Sequence, residues 1–176
     1  MFLNNHNLTI RSATNNDVGL LISWWNNGKV MAHAGFPNGL GITSEQVDKQ
    51  INDSKDNVSE LLIIELNKIP IGEMNYRLLN NGNLEIGIKI CDFSKHNQGY
   101  GRILLSMLIK ELFKRGFETI VLDTNLNNLQ AQRLYEKLGF RKISIRRNAW
   151  KDQLGAPQSV IDYEMKQGEL IDYSVL

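Results

Sequence analysis

The run KHNQGYGRILLSMLIKELFKRGF, Lys95 to Phe117, sets two glycines one residue apart, Gly99 and Gly101, at the mouth of an apolar-periodic segment. A helix N-terminus leaves backbone N–H groups without intrahelical partners and carries a partial positive charge. Glycine there admits positive φ and the close approach of a ligand. Gln98, Gly99, Tyr100, Gly101 and Arg102 can therefore offer several amide donors to an anion, with the side chains of Arg102 and Lys95 adding charge. A second stretch follows downstream, LDTNLNNLQAQRLYEKLGFRK, with Asn128, Ala131, Leu134, Tyr135, Gly139 and Phe140. Tyr135 is a phenol whose ordinary pKa near ~10 keeps it protonated and able to donate at neutral pH. Three carboxylates are candidates to accept a proton: Glu85, Asp123 and Glu73.

These side chains need elements to hold them. The stretch Asn7–Ala13 reads as a short strand. Val18, Leu21, Ile22 and Trp25 then fall at i, i+3, i+4 and i+7 on one helical face, with Asn15 or Asn16 as cap and Asp17 in the first turn. GFPNGLG (Gly35–Gly41) interrupts regular structure, and Thr43 and Gln46 have capping-box spacing for a second helix. Glu60–Leu66 is a near-continuous apolar run, the pattern of a strand covered on both faces. PIGEMNYRLL, the Asn-Gly turn NNGN and the alternating NLEIGIKI form a hairpin in which Glu85, Gly87 and Lys89 share the face opposite the isoleucines. Leu104, Leu105, Leu108, Ile109 and Leu112 stripe the helix behind the glycines, with Gly116 ending it. ETIVLDT is a strand, and NNLQAQRLYEKLGF is a helix with Ala131, Leu134, Tyr135 and Leu138 on one face. FRKISIRR and SVIDYEMK are closing strands joined by the polar loop NAWKDQLGAPQ. The whole reads as one α/β domain over residues 1–176, mostly antiparallel first and β-α-β-α-β afterwards.

The 176 residues are 42% hydrophobic with a formal charge of +1. That composition suits a folded core and lacks the basic footprint of a nucleic-acid binder. The single cysteine, Cys91, cannot form an intrachain disulfide. The start MFLNNHNLTI has neither the charged nor the apolar region of a signal peptide, and no apolar run approaches the roughly 20 residues of a membrane span. The expectation is a cytoplasmic protein with no membrane partner. His6, His33 and His96 lack metal-ligand spacing, so no metal is expected.

Among phosphate loops, a dinucleotide fingerprint needs a third glycine where Leu104 stands, and a Walker A loop needs a Gly-Lys-Ser/Thr that is absent. His96-Asn97-Gln98-Gly99-Tyr100-Gly101 fits Q/R-x-x-G-x-G/A, the pyrophosphate loop of coenzyme A-dependent acetyltransferases, everywhere but its first position. Taken with N-x-x-A-x-x-L-Y-x-x-x-G-F at Asn128–Phe140, the chain resembles the GCN5-related N-acetyltransferase (GNAT) superfamily over a core of about residues 8–166. The resemblance implies a mixed, mostly antiparallel central sheet of six to seven strands with about four helices. ISWWNNGKVMAH is similar to the tryptophan-rich first helix of a branch holding ribosomal-protein, aminoglycoside and polyamine acetyltransferases.

The resemblance further implies direct acetyl transfer from acetyl-CoA to a primary amine of a small molecule or a peptide N-terminus. Tyr135 would be the general acid. The base stays open: Glu85 is favoured by Gly87 on its face, Asp123 lies where some family members keep a glutamate, and Glu73 is the third option. Asn128 would contact the cofactor, Gln98 to Arg102 would hold its pyrophosphate, and Ile88, Lys89 and Ile90 would pair with its pantetheine arm. Trp24, Trp25, Phe36 and Trp150 would line the acceptor cleft, and the last strands would support a homodimer. The rival reading is a non-catalytic acyl-CoA sensor of the same fold.

Overall fold

The computed structural model describes residues 1–53 and 58–175. Among the described residues eight strands form one sheet: β1 (Phe2–Asn5), β2 (Leu8–Ser12), β3 (Ser59–Leu66), β4 (Ile69–Leu78), β5 (Leu84–Ile90), β6 (Thr119–Asn125), β7 (Arg141–Lys151) and β8 (Pro157–Lys166). Their spatial order is β1-β2-β3-β4-β5-β6-β8-β7. Every adjacent pair is antiparallel except β5 and β6, which run parallel. The α-helices among the described residues are α1 (Val18–Trp25), α2 (Gly28–Met31), α3 (Ser44–Asp53), α4 (Tyr100–Lys114) and α5 (Leu129–Leu138).

Side-chain alternation on the sheet builds two cores. Leu62, Ile64 and Leu66 of β3 join Leu84 and Ile86 of β5 beneath α4 and α5, whose Leu104, Leu108, Leu112 and Leu138 are fully buried. Leu61 and Ile63 point the other way and pack with Leu21, Trp25, Val47 and Ile51 of α1 and α3. The apolar run of β3 is thus covered on both faces, as its pattern predicts. Glu73 on β4, Lys89 on β5 and Asp123 on β6 alternate away from the α4–α5 core, on the side of α1 to α3.

Local signals behave unevenly. The capping box of α3 forms: Thr43 N–H donates to Gln46 Oε1 at 2.9 Å, and Gln46 N–H reaches Thr43 Oγ1 at 3.4 Å. The first helical segment is entered instead through a 3-10 turn, Asn15–Asp17, capped by Thr14 rather than by Asn15 or Asn16. Asp17 explains the shift. It accepts the Thr14 amide at 2.8 Å and a two-pronged pair of bonds from Arg11, each 2.8 Å, and is buried in doing so. The strand count exceeds expectation because β1, an exposed edge of sequence FLNN, has no apolar period to announce it.

The stretch expected as a polar loop, NAWKDQLGAPQ, is largely strand. β7 runs on to Lys151, and only Asp152 to Ala156 turn. Backbone pairing with β8, not burial, makes it a strand, since nearly all its side chains are exposed. Between Arg146 and Trp150 the register slips, with Asn148 at φ 49°, and this bulge re-aims the strand's tip. The tip is tied to the loop after α2: Gln153 N–H donates to Gly35 O at 2.8 Å, and Gln153 Oε1 accepts from Asn38 N–H at 2.9 Å.

Among the described residues no helix is long and apolar enough to cross a membrane.

Candidate active site

β5 and β6 pair at only two positions, Leu84 with Ile120 and Glu85 with Val121. Beyond Glu85 the strands part. β5 keeps β4 on its other side as far as Ile90, so beyond the β6 pairing its backbone has one edge paired to a strand and one edge with no strand beside it. Buried backbone groups need partners, and a free edge in a cleft can pair with an extended ligand. The gap opens into a cleft of about 1190 Å³ floored by Ile88, Lys89 and Ile90 and walled by α5 and the β5–α4 loop.

That loop carries the glycines. Gly99 caps α4 at φ 82°, a left-handed conformation that a side chain would strain. His96 N–H closes the preceding turn on Phe93 O at 3.2 Å, while the amides of Gln98 to Gly101 find no backbone acceptor outside the helix among the described residues. They face the cleft with Lys95 and Arg102. The Arg102 guanidinium lies 5.0 Å from the centroid of the Tyr173 ring, which steadies it beside Gly99. Gly101 has a different function from Gly99. Its φ is ordinary, and an added Cβ would stand 3.2 Å from Leu134 Cδ2, so it lets α4 and α5 approach. His96, the departure from the motif, turns its ring back: Nε2 lies 2.8 Å from Ile90 O and the ring packs on Phe93 at 5.0 Å.

α5 supplies the opposite wall. Asn128 caps it by accepting the Ala131 amide at 3.2 Å, and it also borders the cleft. Tyr135, buried to 8% exposure, packs edge-on against Phe140 and Tyr163 at 5.9 and 5.7 Å. The ring is fixed by packing, Tyr135 borders the cleft, and among the described residues nothing hydrogen-bonds its hydroxyl. Burial first, then the nearby Asp123 charge, pushes this phenol up to about 12.

The three carboxylates part company. Asp123 lines the cleft with its side chain 48% exposed; burial pushes it above the usual carboxylate range, Arg146 pulls it down, and the Asp162 and Glu85 charges push it up again. Glu85 does not border the cleft. It sits where β5 is still paired to β6 and is held by Arg77 Nε at 2.5 Å. Glu73 is buried, accepting from Trp25 Nε1 at 2.7 Å and from Lys89 Nζ at 2.9 Å. Both are structurally committed, and Asp123 alone of the three is brought to the same cavity as Tyr135.

Of the four aromatic residues expected around the cleft, Trp150 borders it. Its ring lies over Gly35, where a Cβ would come within 2.3 Å. Trp25 is a core residue and the anchor of Glu73; Trp24 packs beside it in the second core. Phe36 is exposed and lies outside the lining. Cys91 is buried, and burial followed by the Glu73 charge pushes its thiol up to about 12, so it stays an inert core thiol.

Reasoning from sequence missed the outer wall. Gln130, Arg133 and Lys137 of α5 line the cleft, and Gln130 Nε2 reaches across to Asn97 Oδ1 at 2.8 Å. Their spacing of three and four places them on one helical face, a signal that the apolar stripe beside it obscured. Lys29 and His33, from α2 and the turn after it, line the cleft as well. Among the described residues there is no cluster of three or more His, Cys, Asp or Glu suited to a metal.

A family model described as an acetyltransferase (GNAT) domain matches residues 7–141. The [Ribosomal protein bS18]-alanine N-acetyltransferase of Escherichia coli (strain K12) is 45% identical over 64 residues, which is 36% of this chain and 43% of that protein. The match thus spans less than half the length of that curated relative. Spermidine N-acetyltransferase from Vibrio cholerae, solved with CoA and spermine, has a TM-score of 0.82 at 20% identity, covering 94% of this chain and 98% of its own. RimL, a ribosomal L7/L12 alpha-N-protein acetyltransferase solved with coenzyme A, has a TM-score of 0.81 at 16% identity over 94% and 98%. At those identities the likeness to the solved structures speaks for the fold.

Proposed function

The chain belongs to the GNAT acetyltransferase domain family, and on that premise we propose that it moves an acetyl group from acetyl-CoA to a primary amine. One observation carries the reading. The free edge of β5, the unpaired amides at the head of α4, Tyr135 and the Asp123 carboxylate border one cleft.

Each part has a physical task. The amides of Gln98 to Arg102, with Lys95 and Arg102, take the pyrophosphate. Ile88, Lys89 and Ile90 offer backbone to the pantetheine arm, and Asn128 contacts it near the cap of α5. Holding thioester and amine together removes much of the entropic barrier. Asp123, directly or through one water, takes the proton that an alkylammonium must lose before attack. It replaces Glu85 as the favoured base, because Glu85 is occupied by Arg77 outside the cleft. The amine nitrogen bonds to the acetyl carbon and gives its extra proton to solvent, the carbon–sulfur bond breaks, and Tyr135 gives its proton to the departing thiolate and regains one from solvent.

A peptide N-terminus or a small amine enters between Lys29, His33 and Trp150. The acetyltransferase names of the relatives support this class of acceptor. The test is thiol release from acetyl-CoA against a panel of unblocked peptides and polyamines, with product mass read in parallel. Acceptor-dependent release with addition of one acetyl group is expected. Tight CoA binding without transfer to any amine would mark a sensor instead, and absence of CoA binding would remove the reading altogether.

A further inference from the structure

We propose that Arg146, which does not line the cleft, is a positioning residue that keeps Asp123 ionised and oriented; the inference rests on the acetyl-transfer reading above. Asp123 on β6 and Asp162 on β8 are direct partners in the sheet register, and like charges placed opposite each other repel. Ser144 of β7 pairs with Asp162 in turn, which brings Arg146, two residues on, over the same sheet face. Arg146 spans both carboxylates. Its Nε and Nη2 grip Asp162 at 2.9 and 2.7 Å, and the same Nη2 donates to Asp123 Oδ2 at 2.7 Å. Ser144 Oγ donates to Asp162 at 2.5 Å and fixes the far end of the bridge.

The arrangement divides the labour between the two acids. Asp162 anchors the guanidinium by a two-pronged grip, which has more geometric definition than a single contact. Asp123 is held through one oxygen, Oδ2, and its Oδ1 has no partner among the described residues. A carboxylate held this way is kept in one orientation while one oxygen is left for the acceptor or a water.

The other charges near Asp123 are accounted for. Glu85 faces it from β5 but is neutralised by Arg77 of β4. Tyr135 comes from α5 as a neutral phenol. Lys89 shares the cleft already paired with Glu73, and Lys29 and His33 line it as well. Among the described residues Arg146 is therefore the cation in direct contact with Asp123. Without it, Asp123 would face its register partner Asp162 with no cation between them.

The test measures the acid directly, in the full chain. Carboxyl-carbon NMR titrations of wild type, Arg146→Gln, Arg146→Lys and Asp162→Asn would follow the Asp123 resonance, assigned by its loss in Asp123→Asn. Arg146→Gln should raise the Asp123 pKa by about one to two units, the usual effect of removing an adjacent opposite charge. Arg146→Lys should restore part of that shift. Asp162→Asn should lower the pKa, because it removes a repelling charge and releases the guanidinium to Asp123 alone. An Asp123 titration that is the same in wild type and Arg146→Gln, or that moves upward in Asp162→Asn, would overturn the proposal. Kinetics separate it from the reading beneath it. If the titrations behave as stated but Asp123→Asn transfers acetyl at the wild-type rate, the base assignment fails and the electrostatic role of Arg146 stands.

Discussion

Tyr135 and Asp123 reach the cleft from opposite faces of the sheet, and their chemistry is decided by what surrounds each. The phenol sits in a packed aromatic cluster, so it remains protonated throughout the neutral range. Tyr135→Phe preserves the ring and removes only the proton. Turnover should fall by roughly 10²–10⁴ with CoA affinity unchanged, measured by steady-state kinetics beside a binding titration. Equal turnover in the two proteins would strip Tyr135 of its role. The same burial has a thermodynamic signature. A phenol raised from 10.0 to about 12 favours the folded state fully below pH 10, and that stabilisation disappears as pH climbs from 10 to 12. It is worth about 2–3 kcal/mol. Denaturant unfolding of Tyr135→Phe should accordingly lose less stability than wild type across that interval, because the mutant has no phenol there to ionise.

At the scale of elements, the glycine pair divides its labour in a way that spacing alone does not reveal. Gly99 is needed for its left-handed backbone, and Gly101 for the contact between α4 and α5. Gly99→Ala should cost about 1–2 kcal/mol in backbone strain, lowering Tm by roughly 2–8 °C. It should also raise the KM for acetyl-CoA about tenfold, equivalent to about 1.4 kcal/mol of binding, by turning amides away from the anion. An unchanged KM would argue that the loop is a helix start and nothing more. The β7–β8 hairpin shows where sequence patterns lose their grip. α4, β3 and β5 were legible because burial stamps a period on them. β7 is exposed along nearly its whole length, so its extension, the bulge before Trp150 and the bridge through Arg146 leave no apolar trace. The carboxylates were legible as candidates but not as a ranking. Only the tertiary partners Arg77, Trp25 and Lys89 remove Glu85 and Glu73 from contention.

For the molecule as a whole, the parting of β5 and β6 is the organising feature. The two parts of the sheet, β1 to β5 and β6 to β8, meet at only two residue pairs there, and the cleft forms where the ladder stops. A ligand bridging the gap binds the folded state alone. CoA at a hundred times its Kd should therefore add about 2.7 kcal/mol of stability, a rise in Tm of roughly 5–11 °C for a chain of this size. A thermal shift of that order with CoA, and a smaller one with the same concentration of pantetheine, which has no phosphate, would fit a ligand held chiefly through its phosphates. The most direct test of the central claim joins this binding to chemistry. Acetyl-CoA and an amine panel are incubated with wild type and with Asp123→Asn, and free thiol and acceptor mass are followed together. The expected result is one thiol released per acetyl group gained by the acceptor, with the rate falling steeply in the variant. Thiol release that proceeds without any acetylated amine, or identical transfer by both proteins, would contradict the account.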